Sequence, residues 1–211
     1  MIDKWLSKTK LNIYLEKIVR KLFLGKISAN KITTSALLIG LLSALSIFLS
    51  GILIFEIPLI ISAAILMCIS FFFDALDGIL ARLKQPTIFG GILDIFCDRT
   101  VEVLIIISLI STAPQMLMWP GIFSLGGIVL CISMFLLVGG AVIADTLEEN
   151  KKVIYYRHGL IERSETLIFL LLMTILIPLR SILLWIFSIL VLITALLRLR
   201  DAYLILKENQ T

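Results

Sequence analysis

Four aspartates lie in two closely spaced pairs between long apolar runs, and their type and spacing are suited to chemistry. Asp74 and Asp77 are three residues apart, and Asp94 and Asp98 are four residues apart. Residues at these separations lie on the same face of an α-helix. Carboxylates are costly within a membrane, so we interpret the group as a functional site.

Four carboxylates on two neighbouring helices would repel one another unless positive charge lay between them. Oxygen ligands without His or Cys favour the hard divalent cations Mg²⁺, Mn²⁺ or Ca²⁺, of which we expect Mg²⁺ or Mn²⁺ here. Two such ions would balance the four negative charges, and a two-metal site is suited to displacement at phosphorus. We therefore predict that all four aspartates are metal ligands.

Three further residues share the helix face of the first pair. On ideal helix geometry Gly78, Ala81 and Arg82 fall with the two aspartates within an arc of roughly 140°. Gly78 and Ala81 leave room for a bulky group against the backbone, and Arg82 is suited to pairing with phosphate oxygens. Gly90 lies four residues before Asp94, on the stripe of the second pair.

The order of these residues resembles the signature of the CDP-alcohol phosphotransferase family, which are integral membrane phospholipid synthases. Eight fixed positions match in type and in their spacing within each half of the motif, namely Asp74, Asp77, Gly78, Ala81, Arg82, Gly90, Asp94 and Asp98. The spacer between the two halves, residues 83–89, is one residue shorter than in many members. We expect a turn over residues 84–87, because Pro86 breaks a helix, and two antiparallel helices on either side of it.

The resemblance implies transfer of a substituted phosphate from a CDP-linked lipid to a small alcohol acceptor, with release of CMP. CDP-diacylglycerol, or an archaeal ether-lipid counterpart, is the expected donor. Glycerol 3-phosphate is the expected acceptor, and inositol phosphate and other polar alcohols are alternatives. Asp98 would be a general base as well as a metal ligand, and Gly78, Ala81 and Arg82 would contact the CDP moiety. A homodimer is also implied, and no nucleic-acid partner is expected.

Two shorter segments also resemble family motifs. Asn30 and Thr33, near the first long apolar run, match positions that lie near the nucleotide, although either could instead cap a helix. Arg163 matches the first of two arginines in members that use inositol phosphate, and Thr166 replaces the second. Arg163 is therefore expected to bind the acceptor phosphate, and the single arginine favours glycerol 3-phosphate. Anchoring at the cytoplasmic face would explain Arg163 equally well.

The rest of the chain is suited to holding this motif in a membrane. Of its 211 residues, 60% are hydrophobic and 16% are charged, and its mean hydropathy is +1.09, whereas soluble domains carry about 25% charged residues. We predict an all-α polytopic membrane protein with a single domain over residues 1–211. Residues 1–31 would form a basic amphipathic helix on the membrane surface and a link, and residues 32–211 a core of six transmembrane helices. Packing of the basic helix on the cytosolic ends of the other helices is compatible with this.

The six spans follow the apolar runs. We place them at residues 33–54, 57–83, 88–112, 121–144, 166–179 and 181–200, with an uncharged turn at 113–121 and a polar link at 145–165. Every Lys and Arg except Arg180 then falls on one side. The positive-inside rule makes that side cytoplasmic, so both termini and the motif face the cytoplasm from the inner or plasma membrane.

Two other classes of protein compete with the enzyme. A divalent-cation transporter also places acidic groups in membrane helices. It does not need Gly78, Ala81 and Arg82 on the same face, and its acids would be expected nearer the middle of the bilayer. An inactive structural membrane protein is the other alternative, and the intact motif argues against it.

Overall fold

The structure is a computed structural model, and it describes residues 10–23, 25–149 and 163–208. These ranges form seven α-helices and one 3₁₀ turn, with no β-strand among them. The elements are α1 (Lys10–Leu22), α2 (Ala29–Ser50), α3 (Glu56–Lys84), α4 (Ile88–Thr112), α5 (Pro114–Glu149), α6 (Arg163–Ile175), the 3₁₀ turn (Ile177–Leu179) and α7 (Arg180–Glu208). The all-α prediction is confirmed for the described residues.

Within the described residues, four segments are long and apolar enough to cross a membrane, namely α2, α3, Pro114–Val138 of α5, and Ile177–Leu204. A crossing needs about 20 apolar residues. Helix α4 has 25 residues but carries four charged residues, Asp94, Asp98, Arg99 and Glu102. Helix α6 has only 13 residues. Length and composition therefore support four of the six predicted spans, and the crossings by α4 and α6 stay predictions.

The predicted boundaries agree best with the structure around the motif. Helix α4 covers the predicted residues, and α3 differs by one residue at each end. The predicted turn at 113–121 is wrong, because α5 begins at Pro114 and contains Pro120. Proline fits the first position of a helix, where its missing N–H leaves nothing unpaired, and Pro120 removes a single backbone hydrogen bond.

Two of the predicted segments fall only partly within the described residues. Of the predicted basic helix, residues 10–22 form α1, and residues 1–9 lie outside the described residues. Val19 of α1 is fully buried and packs with Leu76, Ile79 and Leu80 of α3. Helix α1 is thus attached to the helix that carries the first aspartate pair. Of the predicted polar link, residues 150–162 also lie outside the described part of the chain.

Close packing of α2 against α3 and α4 fixes the position of the motif. The Ser70 hydroxyl of α3 donates to the Ala36 carbonyl of α2, with an O···O distance of 2.7 Å. A Cβ at Gly40 of α2 would lie 2.6 Å from the Val101 side chain of α4. Small residues of this kind let membrane helices approach closely. The main core beneath them includes the fully buried Ile47, Met67, Ile105, Leu170 and Phe187.

Arg180 joins the ends of α4, α6 and α7. Its Nε donates to the Met173 carbonyl (2.9 Å), its Nη1 to Thr112 Oγ1 (2.7 Å) and its Nη2 to the Thr174 carbonyl (3.2 Å). The last carbonyls of a helix have no partner within the helix. Arg180, which is only 4% exposed, supplies hydrogen bonds to two of these carbonyls in α6.

Candidate active site

Helices α3 and α4 bring three of the four predicted aspartates together. One carboxylate oxygen from each of Asp74, Asp94 and Asp98 lies within 4.8 Å of the others. Asp74 belongs to α3 and the other two belong to α4, and residues 85–87 join the two helices. Carboxylate oxygens at this separation can share a hard cation.

The guanidinium of Arg163, the first residue of α6, lies among these carboxylates. Its Nη2 donates to Oδ1 of Asp74 and to Oδ1 of Asp98, the latter at 2.5 Å. Its Nη1 lies 3.8 Å from Oδ2 of Asp94. The residue predicted to bind the acceptor phosphate thus neutralises part of the acidic group in this structure.

Asp77 lies outside that cluster, on the same helix as Asp74. It is 3% exposed, and its Oδ2 is a buried atom with no hydrogen-bond partner among the described residues. Oδ1 of Asp94 is likewise buried and unpaired in that part of the chain. A buried acceptor without a donor is costly, and a divalent cation would satisfy both oxygens. The four aspartates therefore fit a hard-metal site, and their assignment as ligands stays a prediction.

A cavity of about 480 Å³ lies beside Asp77 and Asp94. This volume is within the usual range for small-ligand sites. We call it the α2–α4 cavity, because its lining comes from the start of α2, the end of α3, the following turn and the start of α4. It brings together the residues that were predicted near the nucleotide from two separate motifs, namely Asn30, Thr33, Gly78 and Ala81.

The predicted contacts with the CDP moiety differ in their surroundings. A Cβ at Gly78 would meet Arg82 Nη1 at 3.8 Å, and this is the nearest contact outside its own helix backbone among the described residues. The cavity side of Gly78 is therefore open. The Arg82 side chain is exposed and is not among the residues that line the α2–α4 cavity, so its contact with phosphate stays a prediction.

Comparison with known proteins decides the class of this membrane protein. Residues 26–197, which include the whole motif, match the family model for CDP-alcohol phosphatidyltransferase. The chain belongs to the CDP-alcohol phosphatidyltransferase family. It is therefore an integral membrane phosphotransferase, and the enzyme interpretation is confirmed.

Solved structures show the same fold. Two crystal structures of Mycobacterium tuberculosis phosphatidylinositol phosphate synthase (PgsA1) match with a TM-score of 0.71 and 20% identity, one with CDP-DAG bound and one in complex with manganese and citrate. Each match covers 90% of this chain, and 93% and 88% of the respective synthase chains. No curated protein sequence matches the chain.

This CDP-alcohol phosphatidyltransferase has a second cavity adjacent to Asp98, with a volume of about 210 Å³. We call it the α4–α7 cavity, because residues of α4, α5, α6 and α7 line it. Three arginines contribute to its wall, namely Arg99, Arg163 and Arg198. The Nη1 of Arg198 donates to the Cys131 carbonyl at 2.8 Å, and its buried Nε has no partner among the described residues.

The sequence pattern does not point to Arg99 or Arg198 as site residues, because both fit the count of cytoplasmic positive charges. Arg99 follows Asp98 directly and pairs with the buried Glu102, with Nη1 and Oε2 2.5 Å apart. Arg198 belongs to α7 and reaches the cavity through the packing of α7 on α5. The sequence feature that could have indicated Arg198 as a site residue is its position as a charged residue near the end of a long apolar run.

Proposed function

We propose that the enzyme transfers a phosphatidyl group from CDP-diacylglycerol to a phosphorylated alcohol and releases CMP, with Mg²⁺ or Mn²⁺ as cofactor. The observation that carries this proposal is the convergence of Asp74, Asp94 and Asp98. Four further signature residues, Asp77, Gly78, Ala81 and Gly90, line the adjacent α2–α4 cavity. The CDP-DAG and the manganese bound by the M. tuberculosis synthase support the same donor and metal here.

The four aspartates would hold the metal. A bound divalent pair would position the attacking and leaving oxygens and offset the negative charge that develops around phosphorus. Asp77 and Asp94 each have a buried oxygen without a hydrogen-bond partner in the described part of the chain. Asp74 and Asp98 would exchange their contact with Arg163 for a contact with metal. Arg163 also lines the α4–α7 cavity, so its guanidinium would become available to an anion there.

Asp98 is the proposed general base. It lines the α4–α7 cavity, where it can accept the proton of an acceptor hydroxyl. The hydroxyl oxygen then bonds to the phosphatidyl phosphorus, the bond from that phosphorus to the bridging oxygen breaks, and CMP leaves with the bridging oxygen. Proton transfer by a positioned base contributes about 10²- to 10⁴-fold to such a rate.

The residues of the α2–α4 cavity would bind the CDP moiety. Asn30 and Thr33 of α2 face Gly78 and Ala81 of α3 across the cavity. The small residues leave space against the helix backbone, and the polar side chains can hydrogen-bond the nucleotide. Arg82, at the end of α3, would contact the phosphates from outside the cavity wall.

The arginines of the α4–α7 cavity favour an acceptor that carries phosphate. Glycerol 3-phosphate was expected because the sequence offers one arginine at the start of α6. The structure adds Arg99 and Arg198 to the same cavity, and arginine clusters suit phosphate recognition. We therefore propose inositol phosphate as the acceptor, in keeping with the activity named for the similar synthase, and glycerol 3-phosphate as the competing one.

We further propose that all six predicted segments cross the membrane, with both termini and the site at the cytoplasmic face. The distribution of Lys and Arg supports this orientation, as do the exposed Lys17 and Lys21 of α1. A site at this rim would admit a lipid donor from the bilayer and a water-soluble acceptor from the cytoplasm. We also propose the homodimer that the resemblance implies, and cross-linking of the enzyme in membranes would test it.

An acceptor panel tests the proposal directly. Purified enzyme in lipid nanodiscs is supplied with CDP-diacylglycerol, Mn²⁺ and one of inositol phosphate, glycerol 3-phosphate, inositol or serine, and CMP release is followed. We expect release that requires both metal and acceptor, stops on addition of EDTA and is fastest with inositol phosphate. Faster CMP release with glycerol 3-phosphate would make glycerol 3-phosphate the acceptor instead of inositol phosphate. No CMP release with any of these alcohols would contradict CDP-diacylglycerol as the donor. Mn²⁺ uptake into proteoliposomes without CMP release would instead support the transporter.

A further inference from the structure

The turn between α3 and α4 holds one residue in an unfavourable backbone conformation. Residues 85–87 join the two helices, and Gln85 has φ 79° and ψ 112°. Among the described residues it is the one non-glycine residue with positive φ. Such a conformation costs about 1–3 kcal/mol and often occurs where a ligand is held. The short spacer leaves few residues in which to reverse the chain.

Both sides of the turn are fixed by hydrogen bonds, and Gln85 lies between them. Lys84 Nζ donates to the Ile27 carbonyl, 2.9 Å away, in the link before α2. On the other side, Thr87 Oγ1 accepts from the Gly90 amide at 3.0 Å. Gln85 lines the α2–α4 cavity, and its side-chain amide makes no hydrogen bond within the described residues.

The position of Gln85 along the cavity indicates which part of a nucleotide it would meet. Asp77 is eight residues before it on α3 and Asp94 is nine residues after it, mostly along α4. At 1.5 Å per residue these separations correspond to about 9–12 Å along each helix, which a nucleoside monophosphate can span. Phosphates belong at the aspartates and their metals, so the nucleoside belongs near the turn.

A neutral amide is chemically suited to the nucleoside. The glutamine side chain offers two N–H donors and a carbonyl acceptor, which match the uncharged polar groups of a base and a ribose. We propose that Gln85 binds the cytidine part of the CDP-linked donor and that the turn holds its side chain ready for this contact. This inference rests on the proposed function, because it requires a CDP-linked donor in the α2–α4 cavity.

Two substitutions separate the side chain from the backbone. Gln85→Ala removes the amide and keeps a Cβ at positive φ, whereas Gln85→Gly removes the amide and relieves the strain. We expect both variants to raise the KM for CDP-diacylglycerol about 3- to 10-fold, as loss of one or two hydrogen bonds would. Both should weaken CMP binding, measured by calorimetry with Mn²⁺, by the same factor. The KM for the acceptor should stay within about twofold, and the Gly variant should have the higher Tm.

The outcomes distinguish this inference from the proposed function. A Gln85→Gly enzyme with wild-type donor KM and wild-type CMP affinity would overturn it and leave Gln85 as a turn residue only. A rise in the acceptor KM instead of the donor KM would overturn it as well. Failure of the proposed function is a different result, since the wild-type enzyme would then release no CMP from CDP-diacylglycerol.

Discussion

One arginine is the first residue of α6 and another lies just beyond its last residue, and the two guanidinium groups are stabilised in different ways. Arg163, at the first residue of the helix, contacts three carboxylates and is 33% exposed. Arg180, just beyond the other end, is 4% exposed, and neutral oxygens accept its hydrogen bonds. The 13 residues of α6 separate these environments by about 20 Å.

The difference indicates which arginine can exchange its partners. The oxygens around Arg180 are neutral carbonyl and hydroxyl groups, which attract a divalent cation less strongly than carboxylates do. We therefore expect Arg180 to keep these hydrogen bonds when metal binds to the enzyme. The carboxylates around Arg163 are also the ligands that a hard divalent cation selects, so metal and Arg163 compete for them. We therefore expect substitutions at the Arg180 end to change stability, and substitutions at the Arg163 end to change activity.

The largest effect on activity should come from Asp98→Asn. The amide cannot accept the proton from the acceptor hydroxyl, and it is a weaker metal ligand, so we expect CMP release to fall by about 10²- to 10⁴-fold. The Tm should change little, because Asn keeps the shape of Asp. Asp201→Asn, the same substitution on α7, serves as the control and should keep wild-type turnover. Full turnover by Asp98→Asn would remove Asp98 from the mechanism.

At the opposite end, Arg180→Met should reduce stability rather than turnover. The substitution leaves the carbonyls of Met173 and Thr174 and the hydroxyl of Thr112 without the donor they have now, which we expect to cost about 3 kcal/mol. For a chain of this size that is a fall in Tm of about 6–12 °C, measured by thermal unfolding in detergent. Turnover per folded molecule should stay within about threefold. A variant with wild-type Tm and no activity would contradict the expectation that Arg180 contributes to stability and Arg163 to activity.

The contrast between these arginines also shows where prediction from the sequence ends. Spacing along one helix fixes which side chains share a face, so the grouping of Asp94 with Asp98 could be predicted. The bounds of α4 could be predicted because the turn at Pro86 and the end of an apolar run mark them. Partners brought together by tertiary packing could not be, since Arg198 reaches the site from α7. The sequence identified Arg180 only as the one positive charge on the side opposite the cytoplasm. Its hydrogen-bond partners could not be predicted, because they are mainly backbone carbonyls, which residue types do not reveal.

Arg163→Met should test the competition between the guanidinium and the metal. Without Arg163 the carboxylates are free, so the Mn²⁺ concentration that gives half of the maximal thermal stabilisation should be lower than in the wild type. At the same time the KM for a phosphorylated acceptor should rise about 10- to 100-fold, the usual effect of losing a hydrogen bond to a charged group. Arg163→Lys should restore part of the acceptor affinity. An unchanged Mn²⁺ midpoint would show that Arg163 and the metal do not share the carboxylates.

A pair of glycines applies the same contrast on a smaller scale. Gly78 faces open space in the α2–α4 cavity. Of the residues that the structure describes, a methyl group there would meet only the far end of Arg82. Gly78→Ala should leave the Tm unchanged and raise the KM for CDP-diacylglycerol about fivefold, because the methyl group occupies space needed by the donor. Gly40→Ala is the matched control in the packed interior, where the new Cβ would lie 2.6 Å from Val101. It should lower the Tm by several degrees and leave the donor KM unchanged. If both variants lowered the Tm equally and neither changed the KM for CDP-diacylglycerol, the space beside Gly78 would not be the donor site. The end of α3 that carries the motif would then serve helix packing only.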